Sequence, residues 1–309
     1  MKKKRIQYNE LNEEIYVPRY WTKPRLILTG IVIVFIGFLL NFSIEEKLNK
    51  LILSTLSSNE ACPIVFDKIE LSYFPPKIYI KRPVILGSCF GEINNRLPLN
   101  IFTIALSAPS FYPPGIKLHV YISQGKTKVN FFPILSPFSQ FIDIDDTKID
   151  AQIFQAMTSD NKSPIAGMIS INGFLKFNSG VLEDGQIKIY SNDFRIPAQN
   201  IKGFEMSLIN LNHLLINAHF SNKTTVKIDQ IDIGRAGMPI ELKLKGNLTI
   251  DPTSFMGSKL NISGPLHLSN FILSNFSFIK LFLPADNTSG NYQMNLTGPL
   301  GNLGAPQFK

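Results

Sequence analysis

Beyond residue 59 the hydropathy of this chain alternates with a period of two, and that one feature limits its fold more than any other. The alternation is clearest in TVKIDQIDI (225–233), IELKLK (240–245), KLNIS (259–263) and YQMNLT (292–297), each bounded by Gly, Pro or Asn. Strands with one apolar and one polar face build antiparallel sheets with a solvated side. They do not build the parallel core of an α/β protein, whose strands are apolar on both faces. The 24 Phe and 9 Tyr residues supply the bulk that strands favour. The expected fold is therefore mainly β: a large curved antiparallel sheet or sandwich-like domain with a few short helices.

Proline and glycine punctuate the pattern. Pro75-Pro76 and Pro113-Pro114 each follow an extended segment and an aromatic residue. Proline cannot donate to a ladder, so each pair must mark a turn or a sheet edge. Gly173-Phe-Leu, Gly246-Asn-Leu, Gly264-Pro-Leu and Gly298-Pro-Leu read as strand starts in repeated hairpin or bend units, with glycine where a side chain would crowd the curve. Their irregular spacing argues against a strict solenoid and for one long sheet extended by similar hairpins. Two helices interrupt this reading. One covers 147–157, with Ile149, Ile153 and Met157 behind an Asp146 cap; the other covers 274–283 and ends at Pro284.

The N-terminal part reads differently. Residues 26–44, LILTGIVIVFIGFLLNFSI, form nineteen uncharged positions, close to the roughly 20 that cross a bilayer core as helix. Seven basic residues (Lys2, Lys3, Lys4, Arg5, Arg19, Lys23, Arg25) and three acidic ones precede that run. The basic bias places the N-terminus in the cytoplasm. A cleaved signal peptide is the rival reading, but no A-x-A follows the run. The expected organisation is a cytoplasmic tail (1–25), a transmembrane helix (26–44) in contact with the lipid bilayer, a juxtamembrane helix (45–58) and an exported β-rich domain (59–309). The net charge of +8 then reports topology, and no nucleic-acid partner is expected.

Chemistry-bearing motifs are scarce. Cys62 and Cys89 permit one disulfide in an oxidising compartment, with two buried free thiols as the alternative. His119 and His267 occupy outward polar positions of alternating strands. His213 and His219 stand about 20 Å apart along a strand, too far to share a metal. Asp143, Asp145, Asp146 and Asp150 lack the glycine and terminal Glu of a calcium loop and read as a solvated loop capping the next helix. No G-x-S-x-G, H-E-x-x-H or phosphate-binding glycine loop occurs. The expectation is no enzymatic activity, no catalytic or metal-binding residues and no cofactor.

The order of N-terminal apolar run, IELSYFPP (69–76) and the C-terminal GNYQMNLTGPLGNLGAPQF (290–308) resembles the N component of the bacterial type II secretion system, in its long non-enteric variant. The resemblance implies a single-pass inner-membrane subunit whose periplasmic domain assembles or stabilises an envelope-spanning export complex. Its partners would be other inner-membrane or periplasmic secretion subunits. The Gly-x-Leu strands and the closing GPLGNLGAP are also similar to AsmA-type envelope proteins, which implies an apolar trough that carries lipid. The two implications differ in whether the apolar faces of Ile231, Leu242, Leu244, Leu260 and Met294 are covered.

Overall fold

A computed structural model describes residues 23–41, 50, 54 and, apart from short interior stretches, 62–309. By its contacts the chain divides into two compact units, Met1–Ile52 and Leu53–Lys309. The tail 1–22 and most of the expected helix 45–58 lie outside the described residues.

In the first unit the apolar run forms a helix, Lys23–Asn41, 19 residues long. Among the described residues, however, no helix is long and apolar enough to cross a membrane, which corrects the transmembrane assignment of 26–44 and the single-pass inner-membrane topology built on it. Within the described helix the first turn is taken by Lys23, Pro24 and Arg25, so its uncharged part, 26–41, spans about 24 Å at 1.5 Å per residue, against a hydrocarbon core of roughly 30 Å; residues 42–44 lie outside the described residues.

The second unit is strand-rich throughout. It opens with β1 (Ile64–Val65), β2 (Lys68–Tyr73), β3 (Pro76–Lys81), β4 (Val84–Leu86), β5 (Arg96–Pro98), β6 (Ile101–Leu106) and β7 (Ser110–Phe111). Long strands follow: β8 (Pro114–Gln124), β9 (Thr127–Leu135), β10 (Gln140–Asp150), β11 (Met168–Asn178) and β12 (Val181–Ser191). A nested pair of short hairpins comes next, β13 (Arg195–Ile196), β14 (Gln199–Ile201), β15 (Phe204–Met206) and β16 (Ile209–Asn210). Then come β17 (Leu214–Asn222), β18 (Thr225–Ile233), β19 (Ile240–Thr249), β20 (Lys259–Leu268), β21 (Asn291–Pro299) and β22 (Gln307–Phe308).

One antiparallel sheet takes fifteen of these strands, in the order β2-β3-β6-β8-β9-β10-β11-β12-β17-β18-β19-β20-β21-β22 with β7 beside β8. Nearly every strand pairs with the next long strand in sequence, so the sheet is a meander. Both proline pairs lie at turns: Pro76 and Pro114 open β3 and β8. The β1-β4-β5 sheet lies apart from the main one. There the turn Gly87–Phe90 carries Cys89, which is joined to Cys62 in a disulfide.

Two bulges keep the apolar positions in phase. In β18, Ile228 and Ile231 are separated by three residues instead of two, and the register against β19 shifts between them. The extra residue lets both isoleucines face the same side. In β10 the same happens between Ile144 and Thr147, and Asp146 there has φ 44°.

The second bulge corrects the helix expected at 147–157. Residues 147–150 continue β10, and only Ala151–Met157 coils, as a 3-10 segment capped by Asp150, whose carboxylate accepts from the Gln152 amide at 3.1 Å. Asp146 is a bulge residue, not a cap. Of the helix expected at 274–283, residues 277, 278 and 280–282 lie outside the described residues; a helix is seen just before, at Asn270–Asn275.

The best-buried core lies where the β13–β16 excursion and the helix Asn270–Asn275 cover part of the sheet. Phe194, Ile209, Leu211, Ile272 and Phe276 pack there against Leu214, Leu266, Leu268 and Tyr292.

Candidate functional site: an apolar row across the sheet

Following residue-to-residue register across the sheet gives a single row on one face. It starts Leu71–Ile78–Ile104–Val120–Phe131–Ile144 on β2, β3, β6, β8, β9 and β10. It continues through Gly173–Ile187–Ala218–Ile228 on β11, β12, β17 and β18 and ends with Gly246–Ile262–Leu296 on β19, β20 and β21. Every member is apolar, Gly or Ala. A parallel run on the same face, Ile171–Ile189–Ile216–Ile231–Leu244, widens the centre. At about 4.8 Å between strands, thirteen strands extend the row to about 58 Å.

From β12 to β21 the opposite face is polar, whereas on β9–β11 it also carries Ile134, Phe132, Phe141 and Phe174. Displaced by one position, the register reads Gln186–His219–Lys227–Asn247–Asn261–Thr297. Asn217 donates to Gln230 at 3.2 Å and Gln230 to Asp232 at 2.6 Å, while the His219 ring is bonded to Asp229, the residue that the β18 bulge inserts. Over β12–β21 the two faces thus differ in kind, one hydrogen-bonded and charged, the other free of polar side chains along its row.

Burial along the row is partial. Val120, Ile228 and Ile262 are buried, and the other ten members are half-buried. Around Ile228, Leu244 and Ile262 the packing partners are Ile231, Leu242, Leu248, Leu260, Met294 and Leu296. All of these belong to β18–β21, so the apolar chains there lie side by side on one sheet face, with no outside element in the cluster among the described residues. Of the five residues that distinguish a covered face from an open one, Leu244 is buried and Ile231, Leu242, Leu260 and Met294 are half-buried.

Of the glycines expected to start strands, Gly173, Gly246 and Gly264 stand inside β11, β19 and β20 and Gly298 is next to last in β21, all on this face. A Cβ on Gly246 would come 2.0 Å from the Asn261 carbonyl oxygen on β20, and one on Gly173 would come 2.1 Å from that of Gln186 on β12. Backbone approaches this close admit only hydrogen, so glycine lets neighbouring strands crowd toward the apolar side.

The residues flagged for chemistry do not converge. His119 bonds Asn130 at 3.1 Å and stacks on Phe132 with centroids 4.7 Å apart. His267 bonds Asn291 at 2.8 Å, and the Nδ1 of His213 is buried without a partner. Asp143 faces Lys117 at 3.7 Å and Asp146 faces Lys148 at 3.0 Å. Among the described residues no three His, Cys, Asp or Glu side chains gather as a metal site. Two clefts, of about 400 and 350 Å³, are lined by Gln124, Lys126, Asp150 and Gln152 and by Glu241, Lys243, His267 and Asn291. The first has no His, Cys or Ser in its lining. Neither cysteine belongs to the row.

No protein-family model, no curated protein and no solved structure matches this chain. The secretion-system label therefore rests on the sequence resemblance alone, and the site must be interpreted from its own geometry.

Proposed function

We propose that the apolar row binds the hydrocarbon chains of a lipid, which the protein holds or passes on without chemical change. The observation that carries this reading is the row itself: unbroken over thirteen strands, half-exposed, and without a hydrogen-bonding side chain. An occupant that is apolar along its length satisfies such a surface, whereas a polar or peptide ligand would leave its own backbone groups unpaired there. Burying a methylene is worth about 0.8 kcal/mol, so a dozen methylenes laid on the row offset the several kcal/mol lost on association. A bilayer core of roughly 30 Å holds two leaflets of chains, and a row of about 58 Å is long enough for more than one chain. This is the role implied by the similarity to AsmA-type proteins.

Native mass spectrometry from mild detergent tests it. Phospholipid or fatty acid should remain on the wild-type protein and fall at least tenfold in Ile187→Asn, with Thr297→Asn on the polar face retaining it. A lipid-free wild type that also fails to bind added fluorescent fatty acid would overturn the reading.

The assembly role implied by the secretion-system resemblance is a second reading, supported by one feature: β2 is terminal in the strand order, a position from which a partner strand can extend the sheet. A photocrosslinker at Ser72 should then capture a secretion subunit in cells, and the absence of such an adduct sinks this reading without touching the first.

A further inference from the structure

The exposed large apolar side chains of the sheet are unevenly placed. Leu106, Phe111, Tyr112, Ile116, Leu135 and Val181 are 45–96% exposed, Phe111 and Tyr112 at 90 and 96%. The register puts them at one end of the strands: Leu106 opposite Leu118, Phe111 opposite Pro114, Ile116 opposite Leu135, and Val181 opposite Asn178 at a hairpin tip. At the other strand end of this part of the sheet, where Ile101 pairs with Ser123 and Gln124 with Thr127, Ile101 is the exposed large apolar residue among those described. The covering elements pack on that other end too: Leu214, Leu268 and Tyr292 beneath Phe194, Leu211 and Ile272 lie at the ends of β17, β20 and β21 away from these tips.

We infer that this tip end is the mouth of the trough and rests on a lipid surface, with Phe111 and Tyr112 entering it. The inference rests on the lipid-binding reading of the row and adds the end from which lipid arrives. Three properties select a lipid surface as the occupant. The β7–β8 hairpin closes its own ladder at Ser110–Gly115 and Phe111–Pro114, so its tip can leave water without stranding those backbone groups. Phe beside Tyr gives an apolar body with a polar tip, the combination suited to the interface between headgroups and chains. The nearby ionised groups are Lys117 beside Asp143, Lys176 beside Glu183 at 2.9 Å, Asp184 opposite Lys176, and Lys77 opposite Ala105; these described charges sum to zero, which suits a neutral surface.

The test uses the full chain with a polarity-sensitive probe at a single introduced cysteine, Tyr112→Cys, and at Lys126→Cys on the opposite strand end. With neutral phosphatidylcholine vesicles the probe at 112 should shift to the blue and be quenched by spin label in the upper part of the bilayer, while that at 126 should stay as in water. Equal responses at the two positions, or none at 112, overturn the inference, whatever the segment 23–41 does at the vesicle. A Phe111→Ser/Tyr112→Ser double variant should slow uptake of fatty acid from vesicles at least tenfold and bind monomeric fatty acid as wild type does. Unchanged uptake from vesicles counts against the mouth. Failure of both wild type and variant to bind monomeric fatty acid counts against the row instead.

Discussion

Thr147 buries its hydroxyl where the β10 bulge opens the ladder: its Oγ1 accepts from the Asn130 amide and donates to the Asn130 carbonyl, both at 2.9 Å, in a site only 2% exposed. Thr147→Val keeps the shape and removes both bonds, so it should cost about 1–3 kcal/mol, read as a lower urea midpoint, with Thr147→Ser recovering much of the loss. Gly246 is limited by space. Any Cβ there runs into the Asn261 carbonyl, and Gly246→Val should destabilise by about 2 kcal/mol or more. Glu70, gripped by Lys68 at 2.8 Å and Lys81 at 2.9 Å, is held below its ordinary 4.5 by the hydrogen bonds from Lys68 and then Lys81. A carboxyl with a depressed folded pKa stabilises the fold above its unfolded value and loses that contribution as pH falls through the folded one. Carboxyl-detected NMR should therefore show Glu70 titrating below 4.5, and Lys81→Met should move it back up. The group is exposed, so the effect on stability itself is small.

At the scale of elements, the bulges decide whether the apolar pattern reaches one face. Deleting Gln230 removes the bulge and leaves Ile228, Ile231 and Ile233 in strict alternation on the apolar side, so that variant should keep its cooperative thermal transition; deleting Asp229 and Gln230 together turns Ile231 and Ile233 to the polar side, and that variant should lose it. The same logic marks what was legible beforehand. Strand segments 225–233, 240–245, 259–263 and 292–297 were announced by alternation, and the proline turns by the missing donor. The helix at 147–157 was misread because Ile149, Ile153 and Met157 satisfy a four-residue spacing while Thr147 and Ile149 also satisfy a strand, and a bulge at Asp146 is invisible to a search for helix caps. Mid-strand glycines were misread as strand starts because glycine looks like a breaker until the opposing backbone is known. The apolar row was not legible, since alternation assigns a side chain to a face but not to a partner; the one cue was the slipped phase at Ile228–Ile231 and Ile144–Thr147. In the small β1-β4-β5 region the disulfide closes a separation of 27 residues. Replacing Cys62 and Cys89 with Ala should cost about 3 kcal/mol on the loop-entropy account, measured against the oxidised protein by denaturant unfolding.

For the molecule as a whole, a face left half-exposed over so many strands is a reserve of stability that an apolar ligand can draw on. Anything that binds the folded chain alone stabilises it by RT ln(1 + [L]/Kd), about 2.7 kcal/mol at a hundredfold excess over Kd. The row links strands from both halves of the sheet, β8–β12 as well as β17–β21, so the added protection should be spread along it. Hydrogen exchange with and without saturating fatty acid should show slower exchange in amides around Val120, Ile144, Ile187, Ile228 and Ile262 together, accompanied by a higher melting temperature. Protection confined to the β13–β16 excursion and the helix Asn270–Asn275 would put the ligand under those covering elements and not on the row. Protection in β18–β21 alone would reduce the site to the cluster around Leu244 and make the N-terminal half of the row a structural feature of the sheet.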